Sequence, residues 1–109
     1  MSKIAVAKFN IGQVIRHRMY PVRGVVFDVD PRFDDSDRSH EMLLIEGREH
    51  RDQPFYYLLA ENERTPFVGY FSEQNLLADA SDEPVQHPQI NDLFERDEAG
   101  HYGRRSMVN

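Results

Sequence analysis

IGQVIRHRMYPVRGVVFDVDP, residues 11–31, predicts two short β-strands separated by a proline. Side chains in its first half alternate with the period of a half-buried strand. One face of this strand holds Ile15, His17 and Met19, and the other holds Arg16, Arg18 and Tyr20. Pro21 interrupts the hydrogen-bonding ladder and Gly24 permits a bend, so a second strand is expected to follow and pair with the first. Its alternation predicts that Val25, Phe27 and Val29 are buried together.

Three later segments also have strand or turn patterns. FYYLLAE, residues 55–61, is apolar on both faces and therefore belongs in the middle of a sheet. ENERT, residues 61–65, predicts a hairpin connection to a further strand in PFVGYFS, residues 66–72. SEQNLL, residues 72–77, predicts a single helical or 3₁₀ turn that the Ser72 oxygen caps.

These segments predict an all-β fold, a small, partly open β-barrel of the SH3 or Tudor type with a short helical segment. Residues 38–46 suit either a short helix or a strand, because the apolar run MLLI fits both. We expect the barrel domain to span residues 1–77 and a polar, extended C-terminal tail to span residues 78–109. Within the tail, the spacing of Ile90, Leu93 and Phe94 predicts one short amphipathic helix.

The chain is acidic overall, but its charges are segregated. Its 109 residues carry a formal net charge of -6. Residues 1–27 hold five Lys/Arg and no Asp or Glu, whereas residues 28–109 hold eight Lys/Arg against nineteen Asp/Glu. Nonspecific coating of nucleic acid is therefore disfavoured, since that affinity comes from Lys and Arg neutralising phosphates. Any contact with nucleic acid must be local to the basic stretch.

The composition also indicates the cellular compartment in which the protein is expected to reside. The chain has no cysteine, which fits a reducing compartment, and no signal peptide or membrane-spanning segment is expected from its apolar runs. We therefore expect a cytoplasmic protein with no membrane partner.

No motif predicts catalysis, and an enzyme is the weakest class for this chain. HEMLL at residues 40–44 begins like a zinc-protease helix but has Leu44 where the second histidine is required. DVDPRFDDSDRSHE at residues 28–41 is as rich in carboxylates as a calcium loop but has Phe33 where the turn glycine is required. The five histidines are scattered, so no metal site and no cofactor are expected.

Aromatic residues in the two later strands have two interpretations. They form either the core, which is the commoner case, or a stacking platform or aromatic cage for a partner. Because both strand faces are aromatic, we expect one set to fill the barrel and the other to stay partly exposed. The candidate contacts to DNA or a protein partner are Arg16, His17, Arg18, Arg23, Tyr56, Tyr57 and Tyr70.

Three blocks in order closely resemble the heat-shock protein HspQ family, also described as the YccV-like or hemimethylated-DNA-binding domain. They are KFNIGQVIRHRMYPVRGVVFDVDP, DQPFYYLLAENE and YFSEQNLLADASDEPVQHP, and the resemblance covers residues 8 to about 105. It implies a bacterial cytoplasmic protein with a small SH3-like barrel that binds hemimethylated DNA and acts with the Lon ATP-dependent protease. Here Tyr57 stands where the family pattern has His, and Phe55 where many members have Trp.

Two functions follow from the resemblance and the charges. The first is a non-catalytic adaptor that promotes degradation of selected clients by Lon, and the second is a module for hemimethylated DNA that uses Arg16, Arg18 and Arg23. We rank the adaptor first, because five basic residues make a small footprint beside nineteen acids, and we expect at least one of the arginines to pair with an acid. Exposed aromatic surface would favour a homo-oligomer, a dimer or a trimer.

Overall fold

The computed structural model describes residues 7–33, 43–45, 52–63, 65–81, 83–98 and 100–105. Eight strands occur in this part of the chain: β1 Val14–His17, β2 Val22–Asp30, β3 Leu43–Ile45, β4 Phe55–Asn62, β5 Thr65–Ser72, β6 Leu76–Ala78, β7 Phe94–Arg96 and β8 Tyr102–Arg104. A 3₁₀ turn, Glu73–Asn75, precedes β6, and one short helix, α1 Ile90–Leu93, precedes β7.

Six strands form one sheet in the order β3-β5-β4-β2-β1-β6, and β7 pairs with β8 in a separate two-stranded sheet. Neighbours in the large sheet are antiparallel except β3 and β5, which are parallel. Within the described residues this sheet does not close on itself. The predicted all-β, partly open barrel fold is therefore confirmed.

Strand β4 lies in the middle of the sheet, as its sequence predicts. Residues 55–61 are all buried, because β2 and β5 flank the strand and side chains pack on both faces. Tyr56, Leu58 and Ala60 belong to the core on one face, and Leu59 belongs to the core on the other. The hairpin to β5 is also confirmed, and Glu63 in its turn has a positive φ of 59°.

A β-bulge in β2 overturns the prediction that Val25, Phe27 and Val29 are buried together. The register with β4 shifts between Val26 and Asp28, so Phe27 is the extra residue. Val29 then packs on the Tyr56 face, whereas Val25 and Phe27 pack on the opposite face. One inserted residue reverses the alternation after it, because successive side chains point to opposite faces.

The ambiguous segment 38–46 contains a strand where the structure describes it. Leu43–Ile45 pairs in parallel with Val68–Tyr70 of β5, so the strand alternative is correct there. The rest of that predicted segment lies outside the described residues.

The predicted 3₁₀ turn is confirmed, but the predicted cap is wrong. No side-chain hydrogen bond from Ser72 caps the turn. The Ser72 hydroxyl instead accepts a hydrogen bond from the Asn75 amide, at 3.3 Å.

Residues after β6 pack against the second face of the sheet. Val85, Ile90, Phe94 and Tyr102 form one apolar cluster with Val25 and Leu59. The predicted helix is present as α1, where Ile90 is buried and Leu93 is 44% exposed. The division into domains at residues 77 and 78 stays a prediction.

Candidate functional site

Arg16 and Arg18 are exposed at the end of β1. Arg18 continues the line of the strand, because its backbone N–H donates to the Asn75 carbonyl at 2.9 Å. The Arg18 Nε donates to the Gln74 carbonyl at 2.7 Å. Neither arginine forms an ion pair with a carboxylate among the described residues. Both guanidinium groups are therefore available to an anionic partner.

Met19 and Tyr20 lie in the turn between β1 and β2 and are 68% and 55% exposed. The alternation of the sequence placed Met19 on the buried face, but β1 ends at His17 and the chain turns there to reach β2. The sequence prediction therefore missed both residues as candidate contacts. Pro21, which directly follows them, could have indicated that the strand ends before Met19 and Tyr20, because proline cannot donate a hydrogen bond to the ladder.

The buried side chain of His17 stabilises this turn through hydrogen bonds to its backbone. Its side chain is only 2% exposed, and its Nδ1 accepts hydrogen bonds from the backbone N–H groups of Met19 at 3.0 Å and Tyr20 at 3.3 Å. The Tyr20 ring lies over the His17 ring with 4.6 Å between centroids, and the Phe71 ring contacts His17 edge-on. The structure thus places His17 under the surface and not on it.

Arg23, the third arginine of the stretch, forms its ion pairs within the protein. It pairs with Glu61 at 3.1 Å and with Asp79 at 2.5 Å. It also donates to the Ser81 hydroxyl and to the carbonyls of Glu83 and Pro84. The expectation that at least one arginine pairs with an acid is confirmed at this residue.

The pKa values of this ion pair follow from its contacts. Burial acts most strongly on the Arg23 guanidinium and lowers its pKa, but the bonds to Asp79 and Glu61 outweigh burial and raise the pKa overall. Burial likewise raises the pKa of the Asp79 carboxyl, but the bonds from Arg23 and Ser81 outweigh it and hold that pKa below its usual value.

The three candidate tyrosines are buried. The Tyr56 hydroxyl donates to Glu73 Oε2 at 2.6 Å and accepts from the Phe9 backbone N–H, and burial followed by the Glu73 bond raises the pKa of Tyr56 to about 12. The rings of Tyr57 and Tyr70 contact each other at an angle of 43° with 4.5 Å between centroids, and the Tyr70 hydroxyl donates to Asp30.

The predicted partly exposed aromatic set is reduced to Phe67, which is half-buried and packs at the edge of the core on the Tyr56 face. Phe55, Tyr56, Tyr57, Tyr70 and Phe71 are all buried. A role of Tyr56, Tyr57 and Tyr70 in binding a partner stays a prediction, whereas their packing in the cores is observed.

Metal and membrane features are absent from the described part of the chain. No group of three or more His, Cys, Asp or Glu side chains there is placed to hold a metal ion. No helix in the same residues is long and apolar enough to cross a bilayer.

The family model described as hemimethylated DNA-binding protein YccV like matches residues 7–101. The chain belongs to the YccV-like family. The match extends over the large β-sheet and over most of the C-terminal segment that packs on it. No solved structure is a significant match to the chain.

Proposed function

We propose that this YccV-like protein is a non-catalytic factor that promotes or tunes degradation of selected clients by a Lon-type protease in the bacterial cytoplasm. The observation that carries the proposal is the unequal use of the three arginines. Arg23 pairs with internal acids, whereas Arg16 and Arg18 form no ion pair among the described residues and precede exposed Met19 and Tyr20 in the chain. Arg, Met and Tyr are enriched in the central parts of protein–protein interfaces. The choice of protease follows from the resemblance to HspQ proteins.

A reconstituted degradation assay tests this proposal. A Lon client is incubated with the protease, with and without this protein, and the rate of client loss is measured. The variant Arg16→Glu/Arg18→Glu should lose the stimulation. The matched control is Arg104→Glu, because Arg104 is an exposed arginine on β8 without an ion pair among the described residues. Equal stimulation by all three proteins would contradict a role for β1, and no stimulation by the unmodified protein would contradict the function.

Binding to hemimethylated DNA is the second candidate, favoured by the description of the family and by the two uncommitted arginines. With Arg23 paired internally, two phosphate contacts per chain are expected, which gives a log–log salt slope of about -2. Titrations with methylated, hemimethylated and unmethylated duplexes at several salt concentrations measure this slope. Tight binding to the hemimethylated duplex with a steep slope would place DNA ahead of the protease. A dimer or trimer is also proposed and would multiply the number of phosphate contacts.

A further inference from the structure

We infer that a groove between β2 and the β7–β8 hairpin binds the carboxyl-terminal residue of a partner protein when that residue is large and apolar. The groove, called the hairpin groove, has a volume of about 250 Å³ and is lined by Phe27, Asp92, Leu93, Phe94, Arg104 and Arg105. Phe27 lies four residues beyond Arg23, the residue opposite Arg16, which is roughly 13 Å along an extended strand. The inference therefore goes beyond the proposed function and does not depend on Arg16 and Arg18.

The walls of the hairpin groove are apolar. Phe27 is the half-buried bulge residue of β2, and it packs against the cluster that holds Val25 and against the aromatic cluster that holds Tyr57. Leu93 is 44% exposed, whereas the neighbouring Phe94 is buried. Sites for drug-sized ligands have volumes of about 300–1,000 Å³, so the smaller hairpin groove suits a single apolar side chain. Covering Phe27 and Leu93 would remove apolar surface from water.

Arg104 places a cation at the groove. It lies directly opposite Phe94 in the β7–β8 register, so the two side chains point to the same side of the hairpin with their Cβ atoms about 5 Å apart. Arg104 is exposed and forms no ion pair among the residues that the structure describes. Arg105, in contrast, is paired with Glu95 at 2.9 Å. Arg104 can therefore bind a carboxylate of the partner through two parallel hydrogen bonds.

Asp92 limits the partner to a single carboxylate at this groove. Its side chain is exposed and forms no ion pair among the described residues. A second carboxylate on the partner would be repelled by Asp92, whereas a backbone N–H can donate to it. A carboxyl-terminal residue offers this combination, because one carboxylate, one N–H and one side chain belong to the same residue.

The hairpin groove is held in shape before any partner binds. The backbone N–H of Arg105 donates to the Leu93 carbonyl at 2.9 Å, and the Arg105 Nε donates to the Asn91 carbonyl. These bonds fix the end of α1 against β8. Binding to a preorganised surface loses less conformational entropy, which favours affinity.

The exposure of the groove favours the end of a protein chain over a small molecule. Sites for small molecules bury about 70–90% of the ligand surface. Leu93 and Arg104 are both exposed, so a small carboxylic acid bound between them would stay largely in water. A protein chain can add contacts on the surrounding surface through the residues that precede its last one.

NMR titration with short peptides tests the inference. The probe is a Gly/Ser peptide that ends in leucine with a free carboxylate, and its companions end in a leucine amide or in serine with a free carboxylate. The ¹⁵N-labelled full chain should bind the probe at least about tenfold more tightly than either companion, because each companion lacks one of the two main contacts. The backbone amide signals of Leu93, Phe94 and Arg104 should shift. No binding of the probe, or equal binding of the three peptides, would overturn the inference.

Matched variants locate the contact. Leu93→Ser and Arg104→Gln should each weaken probe binding about tenfold, whereas Ile11→Ser and Arg16→Gln, outside the groove, should change it less than about twofold. All four positions are exposed, so the substitutions should leave the fold intact, and urea unfolding verifies this. Equal weakening by Arg104→Gln and Arg16→Gln would overturn the assignment of the carboxylate to Arg104.

Three further outcomes separate the alternatives. Binding of N-acetyl-leucine as tightly as the probe would overturn the inference in favour of a small carboxylic acid. Equally tight binding of an amidated peptide with an internal aspartate next to leucine would overturn it in favour of an acidic internal segment. Probe binding by a protein that does not stimulate proteolysis would support this inference and contradict the proposed function, since the titration contains no protease.

Discussion

Arg23 connects the sheet to the C-terminal segment through a single side chain. All three of its nitrogens donate, and its partners Glu61 and Asp79 lie 38 and 56 residues away in the chain. Glu61 in turn accepts the backbone N–H of Gln86 at 2.8 Å. One guanidinium therefore neutralises a buried carboxylate and ties together elements that are far apart in sequence.

Replacing Arg23 should be strongly destabilising. In Arg23→Ala the buried Glu61 carboxylate loses its cation, and we expect the free energy of unfolding to fall by about 3 kcal/mol. Arg23→Lys should recover little of this loss, because an ammonium group cannot reproduce the planar fork of donors. Urea unfolding measures the change, and Arg16→Ala, at an exposed position, should stay within about 0.5 kcal/mol of the unmodified protein. An equal loss in both variants would contradict a special role for Arg23.

Asp79 makes part of this stabilisation dependent on pH. Its carboxyl has a pKa below the usual 3.8 in the folded protein, so the contribution of the ionised form is fully present above that pH and is lost as the pH falls through the folded pKa. We expect the difference in free energy of unfolding between the unmodified protein and Asp79→Asn to be constant near neutrality and to shrink below about pH 4. Urea unfolding at a series of pH values measures it. A difference that grows on acidification would show that the sign is wrong.

At the scale of elements, the N-terminal turn before β1, residues 9–12, contacts the packed residues on both faces of the sheet. Phe9 packs in the core on the Tyr56 face. Gly12 donates its N–H to the Val26 carbonyl, has a φ of 88° and lies directly against the backbone of Tyr102 in β8. Only glycine satisfies both the positive φ and the close approach.

The variant Gly12→Ala should separate β8 from this turn. Its added Cβ would overlap the Tyr102 carbonyl oxygen, and the backbone would be strained as well. We expect a loss of about 3 kcal/mol in the free energy of unfolding. Gly103→Ala is the matched control, because a Cβ there meets nothing within 4 Å, and it should be nearly neutral. Thermal unfolding followed by circular dichroism compares the two, and a stable Gly12→Ala would contradict the contact.

At the scale of the whole molecule, the sheet has two packed faces, and different parts of the chain cover them. One face is closed by residues of the sheet itself with Phe9, and the other is closed by residues 85–102 over Val25 and Leu59. The segment that the sequence marks as a polar tail therefore supplies Val85, Ile90, Phe94 and Tyr102 to a core. Burial of large apolar side chains is the main stabilising term in a chain of this size.

Removal of residues 79–109 should consequently destroy the stable fold. The shortened chain would expose Val25 and Leu59 and would leave Arg23 and Glu61 without their partners in the C-terminal segment. We expect loss of cooperative thermal unfolding and aggregation at concentrations where the full chain is monodisperse. Calorimetry and light scattering measure the two properties. A shortened chain that keeps the unfolding temperature of the full chain would instead make residues 1–77 an independent domain, as the sequence predicts.

The sequence by itself determined the strands β1, β2, β4 and β5, the hairpin, the short helix and the segregation of charge. Each depends on neighbouring residues, since alternation, apolar runs and turn residues act within a few positions. The family blocks likewise lie in continuous stretches of chain, which is why the resemblance was visible before the fold.

Only the tertiary structure decided which side chains are exposed and which are paired with a charged partner. Arg23 and Arg16 stand opposite each other on β2 and β1, yet the first is neutralised by residues far along the chain and the second is not. The bulge that moves Val29 to the other face, the exposure of Met19 and Tyr20, and the cover over Val25 also depend on contacts between distant segments. Local patterns cannot specify these, because the free energy of each arrangement is set by partners that folding brings together.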